Sequence, residues 1–439
     1  MSVVIFVMTS VILLASMLSK TDLRWNLLGS VILINLTVFP ASFNRNAFDL
    51  VSGTNLVIVV AGMALLARGR FYKTLLLFAP FLIIALLLQI YEWHALTSSL
   101  LNYAVYLLAW VVGMRVSQST HDSARNMRWF AWTLLIVVVV QTGVTSLQAM
   151  GVPIFQLEGV TAELESGRAN GTMDHPGTLG KVLMLIAVLA LPATLSADVA
   201  TRRIASVAVW LALVPIALTA SRSNFIAYLA VVLVWAVIQP ASRRFGGRLV
   251  LPMFVGVVAL IFVDQIIQRF LADPSGGQRE HFTIVTLEYL PRVLWTGVGP
   301  GKFTSYFGQF DALIAQNWPV HHVGLLLLSE LGLLGVVAFL IPVIVVFVRA
   351  LRGGKAAGVG DARALLALMP SLILVSVTGW GLMYPNVFTL LMFLFGYFSF
   401  SLQSASKASQ APGEPVGRNV VVYGEAKRRK NKREMGSMS

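Results

Sequence analysis

The chain of 439 residues is 57% hydrophobic and only 12% charged, and its formal net charge is +14. Its long windows without a charge have the length and apolarity of bilayer-spanning helices, which excludes an ordinary water-soluble domain. These apolar runs are continuous rather than alternating, so a transmembrane β-barrel is disfavoured. The chain has no cysteine, which leaves neither a disulfide framework nor thiol chemistry to consider.

We predict an all-α, polytopic membrane protein with about 12 transmembrane helices. In chain order the predicted spans are 2–18, 25–42, 50–67, 73–92, 98–115, 129–150, 177–196, 204–220, 223–240, 249–268, 322–349, 364–382 and 386–403. A short neighbouring pair near the N-terminus leaves the total at roughly 12 or 13. The first span lacks an Ala-x-Ala-like cleavage site, so we interpret it as a retained helix rather than a signal peptide.

The predicted organisation has five parts. Residues 1–128 hold the N-terminal transmembrane helices, and residues 129–268 hold the central transmembrane helices with their arginine-bearing outer loops. Residues 269–321 form one long outer loop with short helices. Residues 322–403 hold the C-terminal transmembrane helices, and residues 404–439 form a basic tail.

The charge of the loops sets the predicted orientation, because short loops rich in lysine and arginine face the cytoplasm. The basic loops contain Arg68, Arg70, Lys73, Arg115, Arg125, Arg128, Arg202, Arg203, Arg243, Arg244, Arg248, Arg349, Arg352 and Lys355. Alternation then places 151–176, 221–222, 269–321 and 381–386 on the opposite, non-cytoplasmic face. The basic run 427–433 is interpreted as a solvated cytoplasmic tail near anionic membrane lipids, and we predict no nucleic-acid binding.

Basic side chains on the predicted outer face run against this tendency and need another explanation. They are Arg168, His175, Arg222, Arg269, Arg279, His281, Lys302, His321 and His322. For the set as a whole we favour an anionic ligand, because the guanidinium fork matches phosphate oxygens in a bidentate way. The alternative for any single arginine is a salt bridge to an acid of the same face, namely Glu158, Glu163, Glu165, Asp174 or Glu280.

Two motifs on this face precede predicted spans. The first is Arg168-Ala-Asn-Gly-Thr-Met-Asp-His175-Pro, which leads into the span 177–196. The second is Thr-Ala-Ser221-Arg222-Ser, which starts a later span on the same face. Each therefore predicts an arginine at or near an outer helix end.

Two further motifs follow in the long loop and at its end. Arg279 comes after Ser-Gly-Gly-Gln, and Gly-Val-Gly-Pro-Gly-Lys302-Phe lies further on. His321 then stands nine residues before Glu330 in Glu-Leu-Gly-Leu-Leu-Gly. The four motifs in this order resemble the O-antigen ligase/polymerase family of bacterial membrane glycosyltransferases, over roughly residues 130–350.

The resemblance implies a GT-C-like enzyme at the periplasmic face of a bacterial inner membrane. It would transfer O-antigen polysaccharide from undecaprenyl pyrophosphate to the lipid A–core oligosaccharide by metal-independent, inverting chemistry without a cofactor. Arg168, Arg222 and Arg279 would hold the pyrophosphate, and His321 would be the general base. The family often has Asn where this chain has His322, so the roles of the two histidines are exchangeable. The secondary candidates are His322, Ser221, His175 and Lys302.

A structural role is predicted for Glu330. Nine residues at about 100° each place it half a turn away from His321 and about 13 Å along a helix. Lys181, one turn inside another predicted helix, is its candidate partner. The glycines of 297–301 lack the spacing of a nucleotide-binding loop and predict a sharp turn whose N–H groups are available to a phosphate. Neither Asp-x-Asp nor a dense carboxylate cluster is present, so no metal is predicted.

Other activities compete with the ligase at the level of sequence. The resemblance favours the ligase over an O-antigen polymerase, because polymerases of this family more often carry two comparable outer loops, whereas here the His–Glu motif follows one dominant outer loop, 269–321. A protein O-oligosaccharyltransferase of the same superfamily stays open. A transporter of lipid-linked saccharides is less favoured, because it should carry charged residues deep within several spans and internal repeats.

Overall fold

The computed structural model describes residues 23–38, 53–68, 72–90, 98–155, 167–239, 267, 278–352 and 359–410. Within these ranges the secondary structure is helical and contains no strand, which confirms the all-α prediction for this part of the chain. The predicted span 2–18, the predicted span 249–268 apart from residue 267, and the basic run 427–433 lie outside the described residues. So do Arg269 and the three glutamates of 156–166.

The α-helices of the described residues range from 4 to 30 residues in length. They are α1 Leu23–Thr37, α2 Gly53–Ala67, α3 Tyr72–Leu75, α4 Ala79–Leu88, α5 Ser98–His121, α6 Ala124–Ala149, α7 Pro176–Ala190, α8 Val199–Leu211, α9 Leu213–Leu218, α10 Arg222–Ile238, α11 Arg279–Tyr289, α12 Phe303–Phe307, α13 Ala312–Ala315, α14 Val323–Arg352, α15 Val359–Thr378 and α16 Pro385–Gln410. Single turns of 3₁₀ helix are Leu76–Phe78, Leu191–Leu195, Leu290–Arg292 and Gly381–Met383.

Six helices of the described chain are long and apolar enough to cross a membrane. They are Ala124–Ala149, Pro176–Leu195, Val199–Leu218, Val323–Arg352, Gly360–Thr378 and Pro385–Ser404. Shorter apolar helices are Trp25–Thr37, Val57–Ala67, Leu76–Leu88 and Arg222–Ile238. The polytopic membrane class is therefore confirmed, whereas the predicted number of about 12 spans is not.

Side-chain caps fix where several helices begin, because the first N–H groups of a helix have no partner inside it. The Ser123 hydroxyl accepts the N–H of Asn126 at the start of α6. The Asp198 carboxylate accepts the N–H of Thr201 at the start of α8. Arg128 of α6 donates to the same carboxylate at 2.9 Å. These bonds tie α6 to α8 at the end of the bundle where the basic loops lie.

Aromatic side chains fill the core between α4, α5, α14 and α16. Phe339 of α14 packs edge-on against Phe81 and Tyr103, with ring centroids 5.1 and 5.6 Å apart. Tyr106 of α5 meets Phe388 of α16 at 4.7 Å, again edge to face. These are preferred aromatic geometries. They hold the C-terminal part of α14 against helices from both halves of the chain.

Helix α14 is broken at Gly332, whose φ and ψ of 65° and 173° are not helical. The loop 294–301 enters this break and pairs with both sides of it. Val298 and Gly299 donate to the carbonyls of Ser329 and Glu330, each at 2.9 Å. The sharp turn predicted for 297–301 is present, but these two N–H groups serve the helix break and are not open to a phosphate.

Glycine is required on both sides of this crossing. Gly297 and Gly332 each have a positive φ, a region that disfavours residues with a side chain. A Cβ on Gly332 would collide with the backbone of the loop, and a Cβ on Gly297 would collide with the backbone of α14. The outer loop and the helix therefore fit at one register only, which fixes the loop relative to the start of α14.

Candidate functional site

The two adjacent histidines before α14 have different surroundings. His322 caps the helix, because its Nδ1 accepts the N–H of Leu325 at 3.2 Å and its carbonyl accepts that of Leu326 at 2.9 Å. An accepting Nδ1 carries no proton, so the proton of a neutral His322 ring is on Nε2. One ring nitrogen of His322 is therefore used in capping α14. The ring of His321 caps no helix.

His321 lies against α11 and near other basic groups. Its ring stacks on Phe282, with centroids 5.9 Å apart and planes within 10° of each other. Burial, and next the charge of Arg279, lower the pKa of His321 to about 4, with a smaller contribution from Lys181, whereas the carbonyl of Pro319 opposes the shift. The ring is therefore neutral at physiological pH, which is the form that accepts a proton.

The start of α7 brings His175 and Lys181 to the same end of the bundle. His175 is the N-cap residue, and its Nδ1 accepts the N–H of Gly177 at 2.9 Å. Lys181 is buried one turn later and donates to the Gly177 carbonyl at 3.1 Å. The Asn224 side chain of α10 donates to the same carbonyl at 2.8 Å. Helices α7 and α10 are therefore joined where their basic residues lie.

Arg168 is held beside the start of α10. Its Nε donates to the Thr219 carbonyl at 2.8 Å, and the next residue donates to the Leu218 carbonyl at 3.1 Å. Ser221 and Arg222 follow Thr219 directly as the N-cap and first residue of α10. Arg168 is thus bonded three residues before Arg222, although 54 positions separate the two arginines in the sequence.

Arg279 belongs to the outer loop. It begins α11, and its guanidinium donates to the Thr378 carbonyl at the end of α15, at 3.3 Å. Its charge acts on both His321 and Lys181, and the charge of Arg168 also acts on Lys181. The structure therefore brings three separate segments of the chain, 168–181, α11 and the end of the outer loop, into one basic cluster. We define the basic cluster as Arg168, His175, Lys181, Arg279 and His321.

Glu330 is anchored away from this cluster. The carboxylate is buried and accepts the N–H groups of Gly301 and Phe303, at the start of α12. The predicted pair of Glu330 with Lys181 is wrong, because Lys181 instead bonds to Gly177 within its own helix. Backbone N–H groups at the start of a helix balance the carboxylate charge without a cation. Lys302 lies between the two residues that bind Glu330.

Sequence reasoning missed the contacts that hold α11 in place. His281 Nε2 lies 2.6 Å from Asp311 Oδ2, and the other oxygen of Asp311 accepts the N–H groups of Leu313 and Ile314. The bond from Ile314, and next the one to His281, lower the pKa of the Asp311 carboxyl. The one available signal was that His281, Phe282 and Arg279 lie within one helical turn.

These features define a multi-pass helical membrane protein whose helix ends gather basic side chains around a neutral histidine. Residues 207–340 match the model of the family described as O-antigen ligase. The match contains Arg222, Arg279 and His321 and ends within α14, so the resemblance is confirmed for this part of the chain. It supports the O-antigen ligase/polymerase superfamily and a general role as a membrane glycosyltransferase-like enzyme. No curated protein matches the chain.

Proposed function

We propose that the protein is an O-antigen ligase. It would transfer O-antigen polysaccharide from undecaprenyl pyrophosphate to the lipid A–core oligosaccharide, in lipopolysaccharide biosynthesis. The observation that carries the proposal is the basic cluster, in which the cations Arg168, Lys181 and Arg279 lie near the neutral ring of His321. A diphosphate is the part of the donor that such a cluster fits, because arginine and lysine bind phosphate oxygens by charge-assisted hydrogen bonds.

The proposed location is the bacterial inner membrane, with the active site on the periplasmic side. The basic cluster lies at the ends of apolar helices that are opposite to the basic-loop contact of Arg128 with Asp198. By the positive-inside rule, that contact belongs to the cytoplasmic side. Both proposed substrates are lipid-linked, so a site at the outer ends of membrane helices is within their reach.

In the proposed mechanism, His321 removes the proton from the acceptor hydroxyl as its oxygen attacks the anomeric carbon. The new bond joins that oxygen to the anomeric carbon, and the bond from this carbon to the pyrophosphate oxygen breaks on the opposite face, which inverts the configuration. The leaving diphosphate takes the electron pair, and Arg168, Arg222 and Arg279 stabilise its charge. The proton leaves His321 to solvent afterwards. Every atom is supplied by donor and acceptor.

The low basicity of His321 fits a donor-first order. Burial, and next the charges of Arg279 and Lys181, disfavour a proton on His321 as long as the site holds no anion. A bound diphosphate offsets those charges, so the pKa of His321 should rise when the donor binds. The base then becomes strong enough to act only when a donor is present.

Among the described residues no group of three or more His, Asp or Glu side chains is placed to hold a metal ion.

The same donor chemistry serves an O-antigen polymerase or a protein O-oligosaccharyltransferase, which differ from the ligase in the acceptor. The acceptor presented in the assay therefore decides among them. A transporter of lipid-linked saccharides would use the basic cluster to bind the same diphosphate but would leave the glycan on its lipid. Product analysis separates that case from the three transferases.

The test is a transfer reaction in detergent or nanodiscs with purified protein, undecaprenyl-pyrophosphate-linked glycan and lipid A–core, in the presence of a chelator. We expect the lipid A–core to gain the glycan. His321→Ala should abolish transfer, and Arg279→Gln should reduce it strongly. Arg203→Gln, an exposed arginine of α8, is the matched control and should keep wild-type activity. Transfer by His321→Ala, or loss of wild-type transfer on chelation, would refute the mechanism.

A further inference from the structure

The break at Gly332 divides α14 into two parts with different surroundings. In the part before the break, residues 323–331, no side chain is exposed. After the break, Leu334, Val337, Ile344 and Leu351 are all exposed. Their spacing of three or seven residues places them along one face of the helix. Residues 333–352 are about 30 Å long, which is the thickness of the hydrocarbon core.

This exposed face is the lipid-contacting face of α14. Its exposed side chains are apolar up to Leu351, the charged Arg352 ends the helix, and the helix is the most apolar of the six candidate spans. In a membrane protein such a face lies against acyl chains rather than water. Before the break the helix is covered by protein, because the loop 294–301 lies over Ser329 and Glu330. Lipid contact therefore gives way to contact with the outer loop at the break.

The loop 294–301 supplies hydrogen-bond partners to the backbone groups of α14 that the break leaves without helical partners. Leu333 and Leu334 have lost their helical acceptors, and they donate instead to the carbonyls of Leu294 and Trp295, at 2.7 and 3.4 Å. The carbonyls of residues 329 and 330 accept N–H groups from the loop. Irregular backbone within a bilayer is tolerated only where protein satisfies its polar groups. The pairing meets this requirement.

Trp295 stands at the boundary between the two surfaces. Its side chain is 61% exposed, although its backbone is paired with Leu334 on the lipid-contacting face. Tryptophan is enriched where membrane and water meet, because its ring is apolar and its N–H is polar. We propose that the loop 294–301 is a re-entrant element of the membrane domain and that Trp295 contacts the lipid bilayer beside Leu334.

The proposed contact gives the outer loop a second attachment. The loop also carries Arg279 and α11, so lipid at Trp295 would help to hold the loop at the membrane surface above the basic cluster. The inference does not depend on the proposed reaction. It concerns the partner of this surface, which is the lipid of the surrounding leaflet.

The chain has no cysteine, so single cysteines can be spin-labelled without background. We would label Trp295→Cys in vesicles of phosphatidylethanolamine and phosphatidylglycerol and measure collisions with oxygen and with a water-soluble nickel chelate. Val337→Cys is the lipid reference, and Glu288→Cys, on the exposed face of α11, is the water reference. We expect the label at 295 to collide mainly with oxygen, as at 337. Nickel collisions equal to those at 288 would overturn the proposal.

A second measurement uses fluorescence quenching and a variant that keeps an aromatic ring at position 295. Wild-type protein and Trp295→Phe would be compared in vesicles whose lipids carry bromine high on the acyl chain, which quenches nearby tryptophan. The chain has 10 tryptophans, so the variant should lose one quenched component of the emission. The proposal is contradicted if the emission lost in Trp295→Phe is not quenched by bromine. Gel filtration confirms that both proteins are folded.

Discussion

Titration of His321 tests the electrostatics of the site directly. We predict a midpoint near pH 4 for this ring, against the 6.5 of an ordinary histidine. The difference means that charging the ring is disfavoured by about 3 kcal/mol relative to an exposed imidazole. At pH 5.5 the ring should be about 3% protonated, whereas an exposed histidine would be about 90% protonated.

The same shift makes stability depend on pH with a definite sign. Between pH 4 and 6.5 the unfolded chain binds a proton at this position and the folded protein does not. Stability should therefore fall as the pH is lowered through this window, by up to about 3 kcal/mol. Above the unfolded pKa the penalty is absent. His321→Asn cannot take up this proton, so the variant should be less sensitive to acid than the wild type.

The assay is NMR of carbon-13-labelled histidine in nanodiscs, together with thermal unfolding followed by tryptophan fluorescence. The chain has six histidines, and the signal missing from His321→Asn identifies the ring. Arg279→Gln should raise its midpoint, and so should added inorganic pyrophosphate. A wild-type midpoint between 6 and 7 would refute the reasoning. Equal acid sensitivity of wild type and His321→Asn would also contradict it.

Three further predictions concern the local structure. Gly332→Ala should destabilise the protein by more than about 2 kcal/mol in thermal unfolding, because a Cβ collides with the facing loop backbone at a φ of 65°. Gly143→Ala, at an open helical position, is the control and should stay within about 1 kcal/mol of the wild type. His322→Ala should cost about 1 kcal/mol by removing the helix cap, and His322→Asn should keep the cap, so equal losses would contradict this role. Asp311→Asn should speed proteolysis of the outer loop by weakening the bond to His281, and wild-type protection should fade as the pH falls below about 4.

The membrane class and the convergence of the basic residues could be predicted from the sequence. Apolar run length is a strong signal, because a membrane helix satisfies its own backbone and needs only apolar side chains. The convergence followed from alternation of the loops, since helix ends on one face lie at one level of the bundle. That reasoning placed Arg168, Arg279 and His321 on the same side. In the structure the charge of Arg279 acts on His321, and the charges of Arg279 and Arg168 both act on Lys181.

The break in α14 could not be predicted in the same way. Gly332 lies in a continuous apolar run, and a glycine there is equally compatible with an unbroken helix. The break depends on backbone bonds to residues 294–299, which are distant in sequence. Glu330 was assigned to Lys181 for a related reason. A lysine is the obvious partner of a buried carboxylate in a sequence, whereas free N–H groups at the start of α12 are visible only in the fold.

Two of the three histidines near the basic cluster cap helices, and the third does not. His175 and His322 each cap a membrane helix with an unprotonated Nδ1, so protonation at that atom would remove the cap. His321 stacks on the Phe282 ring, and neither of its ring nitrogens caps a helix. A positive charge on the His321 ring is disfavoured by burial and next by the charges of Arg279 and Lys181. A bound anion is what would relieve this repulsion, so the arrangement favours an anionic ligand before proton transfer.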